Sequence, residues 1–155
     1  MNVKLQKIKK LSDADITLFE KKIGFELPFS FRNFLLKFNG AEPETNIFNI
    51  ESANDSGVNG FIPLNEILKE AKNLDCIDKT ILPIAWAEGG NYVVLDTRDG
   101  IVYFWDHEVP SEEHKLANDI DLFLNNLKPF DPESIELKEG QVESAWIDPN
   151  FLKNL

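Results

Sequence analysis

One cysteine in 155 residues excludes an intrachain disulfide. A chain of this length has no need of one, because it buries roughly 70% of its unfolded surface on folding. A lone thiol fits a reducing compartment, and the expected location is cytoplasmic. Histidine is nearly as scarce: His107 and His114 are the only two. A zinc site would require further ligands, and Cys76 lies about 30 residues upstream in a different element. Neither Cys-x-x-Cys nor His-Glu-x-x-His occurs, so no metal is expected. No apolar run approaches 18 residues, which excludes a membrane-spanning helix. The basic start MNVKLQKIKK lacks the apolar stretch of a signal peptide. The 8 glycines and 8 prolines are scattered, which excludes collagen and a coiled coil.

Catalytic signatures are also missing. There is no Gly-x-Ser-x-Gly. Gly89-Gly90-Asn91 lacks the Gly-Lys-Ser/Thr of a phosphate loop and opens a strand instead of a helix, so it reads as a tight turn. Cys76 sits in the acidic run Asn73-Leu74-Asp75-Cys76-Ile77-Asp78, which raises a thiol pKa and lowers reactivity. With 27 acids, carboxylate pairs occur at every spacing and identify nothing. The best acid–base cluster is Asp106-His107-Glu108 at the end of an expected strand, and a solvated charged turn explains it as well. The residues name no reaction and no cofactor, and the expectation is a protein that is not an enzyme.

What is abundant points to one globular domain, 1–155. Hydrophobic residues make up 43% of the chain and charged ones 28%, and 12 Phe with 3 Trp supply the buried area that disordered chains lack. Net charge is −11 and unevenly spread. Residues 1–40 hold 8 bases and 4 acids, whereas 41–155 hold 8 bases and 23 acids. Such a surface repels phosphate backbones, so no nucleic-acid partner is expected. It steers a basic protein, although acidity also serves solubility alone.

Periodicity places the elements. Ser12 with Asp15 resembles a capping box, and Ile16, Phe19 and Ile23 fall at helical spacing before Gly24, predicting a helix over about 13–23. Leu27-Pro28 opens a second helix whose Phe31, Phe34, Leu35 and Phe38 share one face, closed by Asn39-Gly40. Ala41 to Asn46 reads as a polar loop, Ile47 to Ile50 as a short strand, and Glu51 to Gly60 as a loop. Leu64, Ile67, Leu68, Ala71 and Leu74 form a third helical stripe. Ile81–Trp86, Asn91–Asp96 and Ile101–Trp105 predict a three-strand meander, joined by Gly89-Gly90 and by the hairpin signal Asp99-Gly100. Pro83 argues for an edge position or a strand start. Glu108 to Lys115 reads as a charged loop and Ala117 to Leu127 as a closing helix. The extension 129–155 carries enough apolar residues to dock on the core.

In this order, three stretches resemble the SUKH superfamily, which includes fungal cell-wall-assembly regulators and many bacterial immunity proteins. They are ITLFEKKIGFELPFSFRNFLLKFNG, LPIAWAEGGNYVVLD and IVYFWDHE followed by the closing helix, together covering most of residues 12–128. The resemblance implies a single α+β domain in which a mixed, mainly antiparallel sheet packs on several helices. It implies no catalysis. It implies a bacterial immunity protein that binds and neutralises a toxin, often a nuclease; a regulatory module like the fungal proteins is the alternative, disfavoured here because long flanks are missing. Matching residues are Leu27, Pro28, Asn39, Gly40, Gly89, Gly90, Asn91 and Trp105, most with structural readings: helix start, helix stop, hairpin turn and core.

The binding surface is left to the residues themselves. In a meander, the first and third strands end on the same side, so Trp86, Glu88, Asp106, His107 and Glu108 are expected to form one surface for a basic toxin domain. For Trp86 a place in the core competes with that reading.

Overall fold

The computed structural model describes residues 4–51, 53–74 and 78–129. The first helix, α1 (Asp13–Ile23), starts on a full capping box: Ser12 Oγ accepts from Asp15 N at 3.2 Å and Asp15 Oδ2 accepts from Ser12 N at 2.9 Å. It stops where Gly24 turns left-handed at φ 89°. The second helix, α2 (Phe29–Phe38), follows Leu27-Pro28 as expected. Their corner is pinned by Glu20, whose carboxylate accepts from Leu27 N at 2.7 Å and pairs with Arg32; Arg32 also reaches Asp13 at 2.7 Å. Phe31, Phe34 and Leu35 are buried, whereas Phe38 is only half-buried, its ring 5.9 Å from Phe34.

Asn39 does more than end α2. It is 5% exposed, and its Oδ1 accepts from Leu64 N at 2.8 Å at the head of the third helix, α3 (Leu64–Ala71). Its Nδ2 donates to Lys9 O at 3.3 Å. Gly40 then takes φ 69° in a site where a Cβ would press on Lys9 and Pro63. Asn39→Ala leaves the Leu64 amide buried without its acceptor, so a loss of about 1–3 kcal/mol is expected in urea unfolding. An unchanged midpoint would show that the bond carries no stability.

Eight strands are present among the described residues. Two short ones, β1 (Leu5–Gln6) and β2 (Glu42–Pro43), pair with each other. The other six form one sheet in chain order: β3 (Ile47–Phe48), β4 (Ser56–Phe61), β5 (Ile81–Ala87), β6 (Asn91–Asp96), β7 (Val102–Trp105) and β8 (His114–Ala117). Every described pairing is antiparallel, in keeping with the mainly antiparallel sheet expected; no parallel pair occurs among the described residues. The α+β class stands, and the expected meander is the middle of a longer one. Pro83 sits where β5 lacks a β4 partner, since that pairing covers only Ala85–Ala87; there the strand is locally an edge.

Three expectations are corrected. The segment taken as a loop up to Gly60 contains β4, and the loop at 41–46 contains β2. Gly57 and Gly60 lower strand propensity, but Val58 and Phe61 are buried, and packing decides. A Cβ on Gly57 would come within 2.9 Å of Glu88 Oε1, so the glycine admits that neighbour. Finally, the closing helix begins not at Ala117 but at Ile120, as α4 (Ile120–Asn125). Asp119, extended at φ −156°, caps it by accepting from Leu122 N at 2.8 Å. This frees His114–Ala117, which spans the end of the expected charged loop and the start of the expected helix, to pair with β7.

Alternation sorts the sheet into two faces. Val93, Leu95, Val102 and Phe104 look toward the main core, where Phe48 meets Phe104 at 5.8 Å and Phe123 of α4 at 5.6 Å. Phe34 of α2 meets Phe61 at 4.8 Å on that side. The opposite face carries Trp86, Tyr92 and Trp105 in cross-strand register. Helix α3 covers part of it: the Tyr92 hydroxyl donates to Glu70 Oε2 at 2.5 Å and accepts from Asn73 Nδ2 at 2.9 Å. The expected docking of the C-terminal extension lies, beyond Pro129, outside the described residues.

Candidate functional site

The end of the sheet where β5 stops and β6 begins is built by one short turn. Glu88–Gly90 form a single 3-10 turn, and Gly89 and Gly90 take φ 74° and 80°, which only glycine adopts freely. Asn91 then bridges to the end of β7. Its Oδ1 accepts from His107 N at 3.1 Å and lies 2.6 Å from His107 Nδ1. With an amide oxygen there, the ring nitrogen Nδ1 is the donor of this contact. Next to it, Asp106 Oδ1 accepts from Glu108 N at 2.9 Å, an Asx turn that leaves His107 and Glu108 exposed. Gly89-Gly90-Asn91 thus joins the turn carrying Glu88 to the strand end carrying Asp106, His107 and Glu108.

Trp86 lies beside that turn, on the sheet face. It is half-buried in a groove of about 470 Å3 on the sheet face, with Lys7, Lys9, Glu42, Asn59, Gly60 and Tyr92 among its lining. Lys7 pairs with Glu42 at 3.1 Å across this groove. Gly90 and Asn91 line it too, so the groove adjoins the turn that carries Glu88. Sequence reasoning placed Trp86 at the right strand end without resolving its face.

A second concavity, of about 240 Å3, was not anticipated. It is walled by Asp78, Asp96, Arg98, Tyr103 and Trp105 and by the segment Pro110–Glu113. Asp96 is 5% exposed and accepts two bonds from the Arg98 guanidinium, 3.0 and 2.8 Å long. That pairing holds the Asp96 carboxyl below the ordinary carboxylate value, against the opposing effect of burial. Burial raises Tyr103, and the acids Asp99, Glu113 and Asp96 raise it further. Trp105, 7% exposed and 5.8 Å from Tyr92, has an indole Nε1 with no acceptor among the described residues. An unmade bond of this kind costs about 1–3 kcal/mol. The signal was present in the sequence: in YVVLD and VYFW, alternate positions put Val94, Asp96, Tyr103 and Trp105 on one face.

The Asp96 pairing has a pH signature. A folded-state pKa below the unfolded one gives stability that is fully present above the ordinary carboxylate value of 3.8. It is lost as pH falls through the lower folded value. Asp96→Asn is therefore expected to flatten the fall in melting temperature below about pH 4 while lowering stability at pH 7. Parallel acid curves for the two proteins would refute this.

Among the described residues, no three His, Cys, Asp or Glu are grouped to hold a metal ion, and no helix is long and apolar enough to cross a membrane. The fold and these surfaces define a small α+β protein with a meander sheet, an acidic rim and concavities beside Trp86 and Trp105. The chain belongs to the SMI1 / KNR4 family (SUKH-1), whose model matches residues 10–126. Proteins of this family are generally non-catalytic immunity or regulatory proteins. The chain is also similar to the SPbeta prophage-derived uncharacterized protein YokK of Bacillus subtilis (strain 168), 28% identical over 134 aligned residues, with 70% of each chain covered.

Proposed function

We propose that this protein is a non-catalytic bacterial immunity protein that acts in the cytoplasm by binding and neutralising a basic toxin domain, such as a nuclease. The observation that carries the reading is the acidic sheet end, where Asn91 ties the Glu88 turn to Asp106, His107 and Glu108. A nuclease is basic where it meets phosphate, and an acidic surface imitates that charge. Membership of a family rich in immunity proteins supports the same reading. The test is co-expression. A toxin domain encoded beside this gene should stop growth when produced alone and be tolerated when this protein is produced with it. Tolerance that survives reversal of Glu88, Asp106 and Glu108 to lysine would sink the assigned surface, and persistent growth arrest would sink the function. A regulatory protein-interaction module is the second reading, and it would show binding without protection.

A further inference from the structure

The concavity beside Trp105 is the most chemically specific feature outside the acidic sheet end. Its walls hold four carboxylates, Asp78, Asp96, Glu112 and Glu113, against one guanidinium, Arg98. Arg98 is already committed to Asp96. Asp78 Oδ1 serves the turn at Thr80, leaving Oδ2 at 4.0 Å from Arg98. Glu112 lies 3.3 Å from His114. The site therefore presents net negative charge beside the ring of Tyr103 and the indole of Trp105.

A cation is the matching occupant, but a bare ion is not. No set of carboxylates here converges as metal ligands do. At about 240 Å3 the space is also smaller than the roughly 300–1,000 Å3 of cofactor and drug-sized pockets. A single long side chain suits it. Trp105 Nε1–H, which has no acceptor among the described residues, adds an independent demand, because it needs an acceptor and a cation has none. A peptide-borne arginine meets both conditions. Its planar guanidinium pairs with carboxylates and lies against aromatic rings, and its main-chain carbonyl accepts from an indole N–H. Nε1 is closed to solvent, so the wall must shift to admit that carbonyl. The neighbouring segment is suited to shifting: the main-chain bonds of Val109 and Glu112 are local turns, to Asp106 and Val109.

We infer that this concavity is a receptor for one arginine side chain of the basic partner, with Asp78 and Glu113 facing the guanidinium and Trp105 Nε1 donating to the arginine's main-chain carbonyl. This rests on the reading of the protein as a binder of a basic protein, but its test does not require that partner. The probe is Nα-acetyl-arginine methylamide, added to the 15N-labelled full chain and followed by NMR. Trp105→Phe assigns the indole resonance. The expected result is a saturable, millimolar shift of the Trp105 indole N–H and of the amides of Ser111–Glu113, with the lysine analogue weaker and acetyl-glutamate inert. Asp78→Asn with Glu113→Gln should weaken the arginine titration by about tenfold, while thermal stability confirms that the variant is folded. No saturable shift, an equal response to acetyl-glutamate, or the same response to a divalent cation would overturn the inference. Failure of the arginine titration alongside intact toxin protection would remove this receptor and leave the proposed function standing.

Discussion

Reversing Glu88, Asp106 and Glu108 to lysine together is expected to abolish neutralisation of the partner. Loss of a charge buried at an interface costs about 2–5 kcal/mol, or roughly 30-fold to several thousand-fold in affinity, whereas a rim charge mainly slows association. The three residues share one end of the sheet, so the reversal replaces three negative charges there by three positive ones. Affinity and the salt dependence of the association rate should fall together, because steering by charge is what salt screens. Asp106 also holds the Glu108 amide through Oδ1, so Asp106→Asn serves as a control that keeps the turn and removes the charge. Wild-type binding with wild-type salt dependence in the triple variant would move the interface away from this end. A urea midpoint close to wild type would establish that the variant tests recognition and not folding. Trp86→Ala separates the two surfaces further. It opens the groove near Lys7 and Lys9, which borders the acidic end at Gly90 and Asn91, and because it removes no charge it is expected to leave the salt dependence unaltered.

The sequence reveals those parts of this architecture that local chemistry controls. Ser12 and Asp15 announce α1 because the capping box is a property of four consecutive residues. Leu27-Pro28 and the phenylalanine stripe announce α2 for the same reason, and Asp99-Gly100 announces the β6–β7 hairpin. The misjudged elements are those that long-range packing creates. Strand β4 carries Gly57, Asn59 and Gly60 and looks like a loop until β3 and β5 flank it and Glu88 and Trp86 approach its glycines. Strand β8 reads as loop and helix because its burial depends on β7, and only the extended Asp119 moves the helix start to Ile120. The candidate site divides in the same way. The antiparallel strand directions of the meander put Glu88 and the 106–108 turn at one end of the sheet. They could not reveal that Asn91 would bridge the two, nor that Trp86 faces a groove lined by two lysines. The concavity at Trp105 depends on the segment Pro110–Glu113 lying near Asp78, a contact between residues about 30 positions apart that no local pattern encodes.

The largest effect on stability is expected from Phe34→Ala. Phe34 is 4% exposed and stands at the junction of helix and sheet. Its ring lies 6.1 Å from Phe31 and 5.9 Å from Phe38 along α2, and 4.8 Å from Phe61 at the end of β4. Truncation removes the transfer free energy of a phenyl group and leaves a cavity that these rings cannot fill without leaving their own contacts. The expected cost is about 3–5 kcal/mol in urea unfolding, a large fraction of the 5–15 kcal/mol that holds a typical domain. Phe38→Ala is the internal comparison: it lies on the same stripe but is half-buried, so it should cost clearly less. Phe34→Leu should recover part of the loss, because it refills much of the volume without the ring contacts. A loss under about 1 kcal/mol for Phe34→Ala would mean that α2 does not seal the sheet. The position of α3 would then be in question too, because Asn39 at the end of α2 supplies the acceptor for the first amide of α3.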